Sequence, residues 1–304
     1  MMNYRYKKKL NVWLLLETKI VIDIRTWLNK SRQKLSLSNP IDFDDNHSLI
    51  AEVILAFVLG KNRVWVKTYP EHCLADEQVA LADHYLNRAS LGEPLAYILK
   101  KQEFFGLEFL VTPDVLIPRP ETELIVEAGL DYINRVNHKI LALDIGTGSG
   151  CIAISICKHS SNPNFVATDI SFNALRIAQI NCENHHLTDR VFLVQADLFP
   201  PTKTKFNLIC ANLPYIPTDE LASLKVNRYE PNLALNGGQN GIEIIQKMLS
   251  QINDYLDDQF SILIEIQYNQ DKLLTPLVQR YLPHTDIKVI PDYQGLPRLI
   301  RIES

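Results

Sequence analysis

Apolar positions change their period along the chain, and the changes divide it into three stretches. From Ile22 to about Ala89 they recur at helical spacing, as in SLIAEVILAFVLGKN, where Ser48 is placed to cap a helix and Gly60 to end it. A further helix is predicted from about Asp76 to Asn87, and no strand-like alternation interrupts the stretch. The pattern predicts a small all-helical domain over residues 1–90, with residues 1–20 as a frayed basic tail. Between Gly92 and Pro118, β-branched and aromatic residues crowd into LAYIL, EFFGLEFLV and VLI, with Gly106 available for a turn. That predicts a β-hairpin linker over 91–118. PRPETE follows, where two prolines stiffen a hinge and Thr122 or its acidic neighbours start the next helix. From about Lys139 short β-rich runs (ILALDI, NFVATDI, RVFLVQAD, FNLICAN, FSILIEIQ, DIKVI, RLIRI) alternate with helical ones such as CIAISICK and ALRIAQINCE. This βαβ pattern predicts an α/β domain over 119–304, a mostly parallel sheet with helices on both faces.

Composition narrows the class. With 304 residues, 46% of them hydrophobic, the chain can bury the cores of two domains. A net charge of −4 and a pI near 6.1 supply no global pull toward nucleic acid or anionic lipid, so a protein or small-molecule partner is the more natural reading. The five cysteines are scattered without a CxxC pair, which points to a reducing cytoplasm and to neither a disulfide framework nor a metal site. Basic residues precede an apolar stretch near the start, but Glu17 and Lys19 interrupt it and no small-residue cleavage site follows, so neither export nor a membrane span is expected.

Candidate chemistry sits at the ends of the predicted parallel strands. LDIGTGSGCIAI places Asp144 at a strand end and Gly146, Thr147, Gly148, Ser149 and Gly150 in the turn that opens a helix, where backbone can lie against a ligand. The spacing is GxGxG rather than the GxGxxG of a dinucleotide turn. An acid ahead of it repels phosphate and suits an amino-bearing or cationic ligand, so S-adenosylmethionine fits better than NAD. The next strand ends at Asp169, about 20 residues on, where a carboxylate can accept both ribose hydroxyls. The strand after it ends in QAD, so Asp197 can accept from an adenine amino group while Leu198 packs on the ring.

The fourth strand delivers Asn212, Leu213, Pro214 and Tyr215 to the same rim, with no acid, thiol or metal ligand among them. An amide or aromatic-amine nitrogen is a poor nucleophile and has to be held by acceptors that orient its N–H groups toward a methyl donor. The Asn212 side-chain oxygen and the Leu213 carbonyl can supply two such acceptors, and Asn212 also lies beside the donor as a cofactor contact. Pro214 biases Leu213 toward extended geometry, and Tyr215 can stack on the planar group.

GEPLAYILKKQEFFGLEF, VLIPRPETE, LDIGTGSG, ANLPYIP, YEPNLALNGGQNGIE and DYQGLPR together resemble the class I S-adenosylmethionine-dependent methyltransferases, and within them the protein-(glutamine) methyltransferases that modify peptide chain release factors. The resemblance spans nearly the whole chain and implies a Rossmann-like seven-stranded, mostly parallel sheet. It implies methyl transfer to the side-chain amide of the glutamine in a Gly-Gly-Gln loop, with S-adenosylhomocysteine as product and no metal. Carried over by position, Gly146 to Gly150 and Asp169 bind the cofactor, Asp197 and Leu198 line the adenine pocket, and Asn212 to Tyr215 hold the glutamine. Phe104, Arg119 and Glu121 would be pocket walls, and the helical domain and hairpin would grip the release factor. A monomer making no direct contact with nucleic acid or membrane is expected. Leu213 departs from the family's usual Asn-Pro-Pro-Tyr; a position that contributes its backbone carbonyl as an acceptor tolerates the change, with some rigidity lost. The chain's own Gly-Gly-Gln, residues 237–239, reads as a turn ahead of a helix. The rival readings are an adenine-amino methyltransferase acting on DNA or RNA, whose nucleophile is also planar, and a non-catalytic S-adenosylmethionine-binding partner of the termination machinery.

Overall fold

The computed structural model describes residues 22–38 and 47–304; the expected frayed tail, 1–20, lies outside the described residues. The chain divides into two compact units, Met1–Gly92 and Glu93–Ser304.

In the first unit, α1 (Ile24–Ser38), α2 (His47–Leu59), α3 (Arg63–Thr68) and α4 (Asp76–Ser90) bury Trp27, Leu35, Ile54, Leu55 and Leu86. The Trp27 indole N–H donates to Asp83 Oδ1 at 2.8 Å and ties α1 to α4. Glu52, 3% exposed, is compensated by Arg63 at 2.9 Å, Lys67 at 3.3 Å and Arg32 at 3.6 Å, as a buried carboxylate requires. Because α2 begins at His47, Ser48 falls inside its first turn and does not cap it.

The second unit opens with α5 (Leu95–Leu99), β1 (Gln102–Phe104) and β2 (Leu107–Phe109). LAYIL is therefore a helix and not a strand, and VLI forms no strand. A five-residue apolar run does not reveal its own period, and here the Tyr97 hydroxyl fixes the helix by donating to the Val115 carbonyl at 2.6 Å. The hairpin shrinks to 102–109, closed by a Phe105-Gly106 turn with both residues at positive φ. Its Phe104 and Phe109 sit in the core of the second unit, so the hairpin is part of that unit's packing.

A single 3-10 turn, Pro120–Thr122, leads into α6 (Glu123–Arg135). β3 (Leu141–Ile145), α7 (Cys151–His159), β4 (Asn164–Asp169), α8 (Phe172–Asn184), β5 (Val191–Gln195) and β6 (Phe206–Ala211) follow. The short α9 (Thr218–Leu221) precedes α10 (Glu243–Gln251), β7 (Leu256–Glu265), α11 (Asp271–Tyr281), β8 (Asp286–Pro291) and β9 (Pro297–Glu303). The strands form one seven-stranded sheet in the order β5-β4-β3-β6-β7-β9-β8, parallel from β5 through β7, with β9 antiparallel to both its neighbours. This is the strand order of a class I methyltransferase. Alternating side chains feed opposite cores: Ala142, Leu208 and Cys210 pack with α6 and α7, and Leu143, Ile209 and Ala211 with α10 and α11. Burial on both faces explains why all six residues of β6 are buried. The carboxyl ends of β3, β4, β5, β6 and β7 therefore share one rim, and reversal of strand order beside β3 opens a crevice there.

Candidate active site

The turn after β3 is held from beneath. Gly146 and Thr147 N–H both donate to the Thr168 carbonyl at 2.9 Å, and Gly148 N–H donates to Asp169 Oδ2 at 2.9 Å. These amides are spent on the protein itself and are not turned toward a phosphate. Gly146 sits at φ +71, a backbone conformation that favours glycine, and a Cβ there would also press on Leu213 Cδ2 at 3.2 Å. Asp144 does not face the ligand space as expected. It is fully buried behind the turn, accepts from the Thr147 hydroxyl at 2.6 Å, and burial raises its pKa to about 7.

A cavity of about 360 Å³ opens on this rim. Of the residues singled out in the sequence, Gly146, Thr147, Gly148, Ser149, Asp169, Asp197, Leu198, Asn212, Leu213, Pro214 and Arg119 line it; Gly150, Tyr215, Glu121 and Phe104 do not. Gly150 instead packs between α7 and α8, where a Cβ would lie 3.0 Å from Ile154 Cδ1 of α7 and 3.4 Å from the Ala178 Cβ of α8. Phe104 is 2% exposed in the core, stacked edge-on against Phe109, and Glu121 is exposed outside the cavity. Neither is a wall.

Asp169 spends one lone pair of each oxygen on the protein, Oδ2 on Gly148 and Oδ1 on Ser171 N–H at 2.8 Å, which leaves further lone pairs toward the cavity. Burial raises its pKa. The Asp197 carboxylate is half-exposed and paired with Lys247. Beside it Leu198 is buried at φ +71, held in that conformation by the Thr168 hydroxyl, which donates to its carbonyl at 2.6 Å.

The fourth strand ends at Ala211; Asn212, Leu213 and Pro214 leave it along the cavity wall, and Tyr215 follows outside it. The Asn212 amide Nδ2 donates to Thr122 Oγ1 at 3.0 Å, which turns Oδ1 the other way. Leu213 buries its side chain in the core at 3% exposure, so its backbone carries whatever it offers the cavity. The Tyr215 hydroxyl donates to Glu265 Oε1 at 3.2 Å. Burial, reinforced by Glu265, pushes the Tyr215 pKa up and keeps the phenol neutral. Burial likewise raises Glu265 to about 7.

Several supports were not singled out in the sequence. Glu230, 6% exposed, accepts from the Ile117 amide at 3.2 Å and pairs with Arg119, fixing IPRPETE to the YEPNLAL segment. The Gln270 side-chain amide donates to the Tyr215 carbonyl at 2.9 Å and the Gly241 carbonyl at 3.0 Å. The stretch that ends in Gly-Gly-Gln braces the chain just past Tyr215: Ile216 N–H donates to the Leu235 carbonyl, Gly237 N–H to the Ile216 carbonyl and Thr218 N–H to the Gly238 carbonyl, at 2.9–3.1 Å, and Gly237 packs against the Pro214 and Tyr215 backbone. Glu265 had a visible signal, since it is one more acid at a strand end. Gln270 and Glu230 had none, because their partners are distant in sequence.

Residues 26–99 match the family model described as PrmC N-terminal domain, and residues 129–228 match the methyltransferase small domain. The release factor glutamine methyltransferase of Koribacter versatilis is 38% identical over 257 residues, covering 83% of this chain and 89% of that protein. Its counterpart from Buchnera aphidicola subsp. Acyrthosiphon pisum is 35% identical over 279 residues, covering 91% and 97%. The hMettl16 catalytic domain, solved with an MAT2A 3'UTR hairpin, shares the fold at a TM-score of 0.51 and 17% identity, over 77% of this chain and 84% of that one. A glycine turn alone would leave many methyltransferases open, but identity of 35–38% over 83–91% of the chain places it in the release factor glutamine methyltransferase family, a group of S-adenosylmethionine-dependent protein-glutamine N-methyltransferases.

Proposed function

We propose that this protein transfers a methyl group from S-adenosylmethionine to the side-chain amide nitrogen of the glutamine in the Gly-Gly-Gln loop of a peptide chain release factor, in the cytoplasm and as a monomer. The observation that carries the reading is the orientation of Asn212: its amide N–H2 is committed to Thr122, so Oδ1 is the atom left for a substrate N–H. In this reading the residues from Gly146 to Ser149 and Asp169 seat the cofactor, with Asp169 accepting from ribose and Asp197 and Leu198 at the adenine. S-adenosylmethionine supplies an activated methyl on a sulfonium. Asn212 Oδ1 and the Leu213 carbonyl accept the two N–H groups of the glutamine amide and aim its nitrogen at that methyl. As the C–N bond forms, the C–S bond breaks and its electron pair stays on sulfur, giving S-adenosylhomocysteine; the nitrogen then releases one proton to water. Orientation and electrostatics carry the rate, without a strong base. The helical unit and the hairpin supply the grip on the release factor.

Labelled methyl transfer tests this. Intact release factor accepts label, and the same protein with its loop glutamine replaced does not. Equal labelling of both would overturn the reading in favour of another residue of the release factor, and labelling of DNA or RNA alone in favour of a nucleic-acid substrate.

A further inference from the structure

We propose that Thr122 and the buried Glu265 are positioning residues that set which end of the Asn212 side-chain amide faces the substrate. This rests on the reading of Asn212 as the amide-holding residue. A side-chain amide can sit in either of two orientations that fill the same space, and only one of them presents an acceptor to a glutamine N–H2. Something outside the amide has to choose.

Thr122 is 2% exposed, and its hydroxyl has a single hydrogen to give. If that hydrogen were given to Asn212, the amide would present its oxygen to Thr122 and its N–H2 to the cavity, donor against donor. The second partner of Thr122 decides the matter. Its hydroxyl faces the Glu265 carboxyl, which is 1% exposed and already accepts from the Tyr215 hydroxyl; the two hydroxyls together oppose the effect of burial on that carboxyl. Glu265 is thus the acceptor that both hydroxyls can reach, and its buried Oε2 has no hydrogen-bond partner among the described residues. With the Thr122 hydrogen directed to Glu265, Thr122 Oγ1 is left only with lone pairs for Asn212, and the amide must offer Nδ2, the contact seen at 3.0 Å. The polarity runs from Asn212 through Thr122 into Glu265, and Tyr215 donates to the same carboxyl.

Thr122 lines the cavity beside Asn212, and Glu265 lies outside the residues that line it. Tyr215 and Asn212 belong to one segment, so a single buried carboxyl fixes both ends of the rim that the glutamine meets.

The test uses the full chain, with release factor and S-adenosylmethionine as substrates and S-adenosylhomocysteine binding measured in parallel. Thr122→Val keeps the shape and removes the relay; kcat is expected to fall by roughly tenfold to a hundredfold, with cofactor affinity within about threefold of the parent. Thr122→Ser restores the hydroxyl and is expected to return kcat to within about threefold. Glu265→Leu is expected to match Thr122→Val, and the double variant to lose no more than either single one, because all three break one chain. Glu265→Gln keeps an acceptor and is expected to be the mildest. An unchanged kcat in Thr122→Val, or a serine variant no better than valine, overturns the relay. Asn212→Ala separates the two readings: if it abolishes turnover while Thr122→Val does not, only the relay fails; if it leaves turnover intact, the amide-holding role itself fails.

Discussion

Gly237→Ala isolates the placement of the Asn212–Tyr215 segment from every other feature of the site. Gly237 lies outside the left-handed region, so alanine meets no backbone strain there; what it meets is backbone. Its Cβ would lie 2.7 Å from the Pro214 carbonyl oxygen, 2.7 Å from the Tyr215 Cα and 2.9 Å from the Gly241 Cα. None of these atoms can swing aside as a side chain does, so reaching ordinary contact requires a movement of about 0.7 Å, shared between the brace and the segment it supports. A misplacement of about 1 Å at a reacting centre costs on the order of a hundredfold, so kcat is expected to fall by roughly tenfold to fiftyfold. The same overpacking destabilises the fold by about 1–3 kcal/mol, a drop of several degrees in Tm. Single-turnover methyl transfer at saturating cofactor, with S-adenosylhomocysteine affinity by calorimetry, separates the two effects. The control is Gly295→Ala, at φ +82 with no atom within 4 Å of its Cβ, which is expected to cost about 1 kcal/mol of stability and leave kcat unchanged. If Gly237→Ala lowers Tm yet keeps full turnover, the position of the segment does not govern the reaction and the reasoning is refuted.

Asp169→Ala is expected to weaken S-adenosylhomocysteine binding by roughly tenfold to a hundredfold, since it removes both the Gly148 anchor and the lone pairs toward the cavity; calorimetry reads it directly. Leu213→Pro is expected to keep turnover within about threefold, because a carbonyl is what the position is asked to supply, while thermal melting reports the loss of the buried side chain. Asp144 gives a pH signature. Its folded pKa of about 7 exceeds the unfolded value of 3.8, so the folded state holds the extra proton, and stability falls as pH rises from about 4 to about 7. Asp144→Asn cannot ionise and is expected to flatten that decline in urea unfolding curves taken across the range; an unaltered slope would contradict the assignment.

The parallel sheet was legible because strands buried on both faces write themselves as short apolar runs, as FNLICA does, and the intervening helices carry a different period. LAYIL was not legible for the same reason in reverse: five apolar residues have no period, and the Tyr97–Val115 contact that makes them a helix spans 18 residues. At the rim, Asn212, Leu213, Asp169 and the glycine turn could be found because each follows a strand. Asp144 follows the same rule yet lies behind the turn, since a strand end has two faces and spacing does not say which one a side chain takes. Phe104 failed on the opposite side, as an aromatic residue suited to a wall and to a core alike. The residues that orient the rim, Thr122, Glu265 and Gln270, act across 50 to 90 positions of sequence, and only the folded chain brings them together.

Everything proposed for the reaction depends on Asn212 Oδ1 and the Leu213 carbonyl holding a planar amide. A crystal structure of the protein with S-adenosylhomocysteine and a peptide carrying the Gly-Gly-Gln loop tests it most directly. The glutamine nitrogen is expected within about 2.7–3.2 Å of both oxygens, with Asn212 Nδ2 still on Thr122. A glutamine bound elsewhere, or an Asn212 that presents its N–H2 to the peptide, would contradict it.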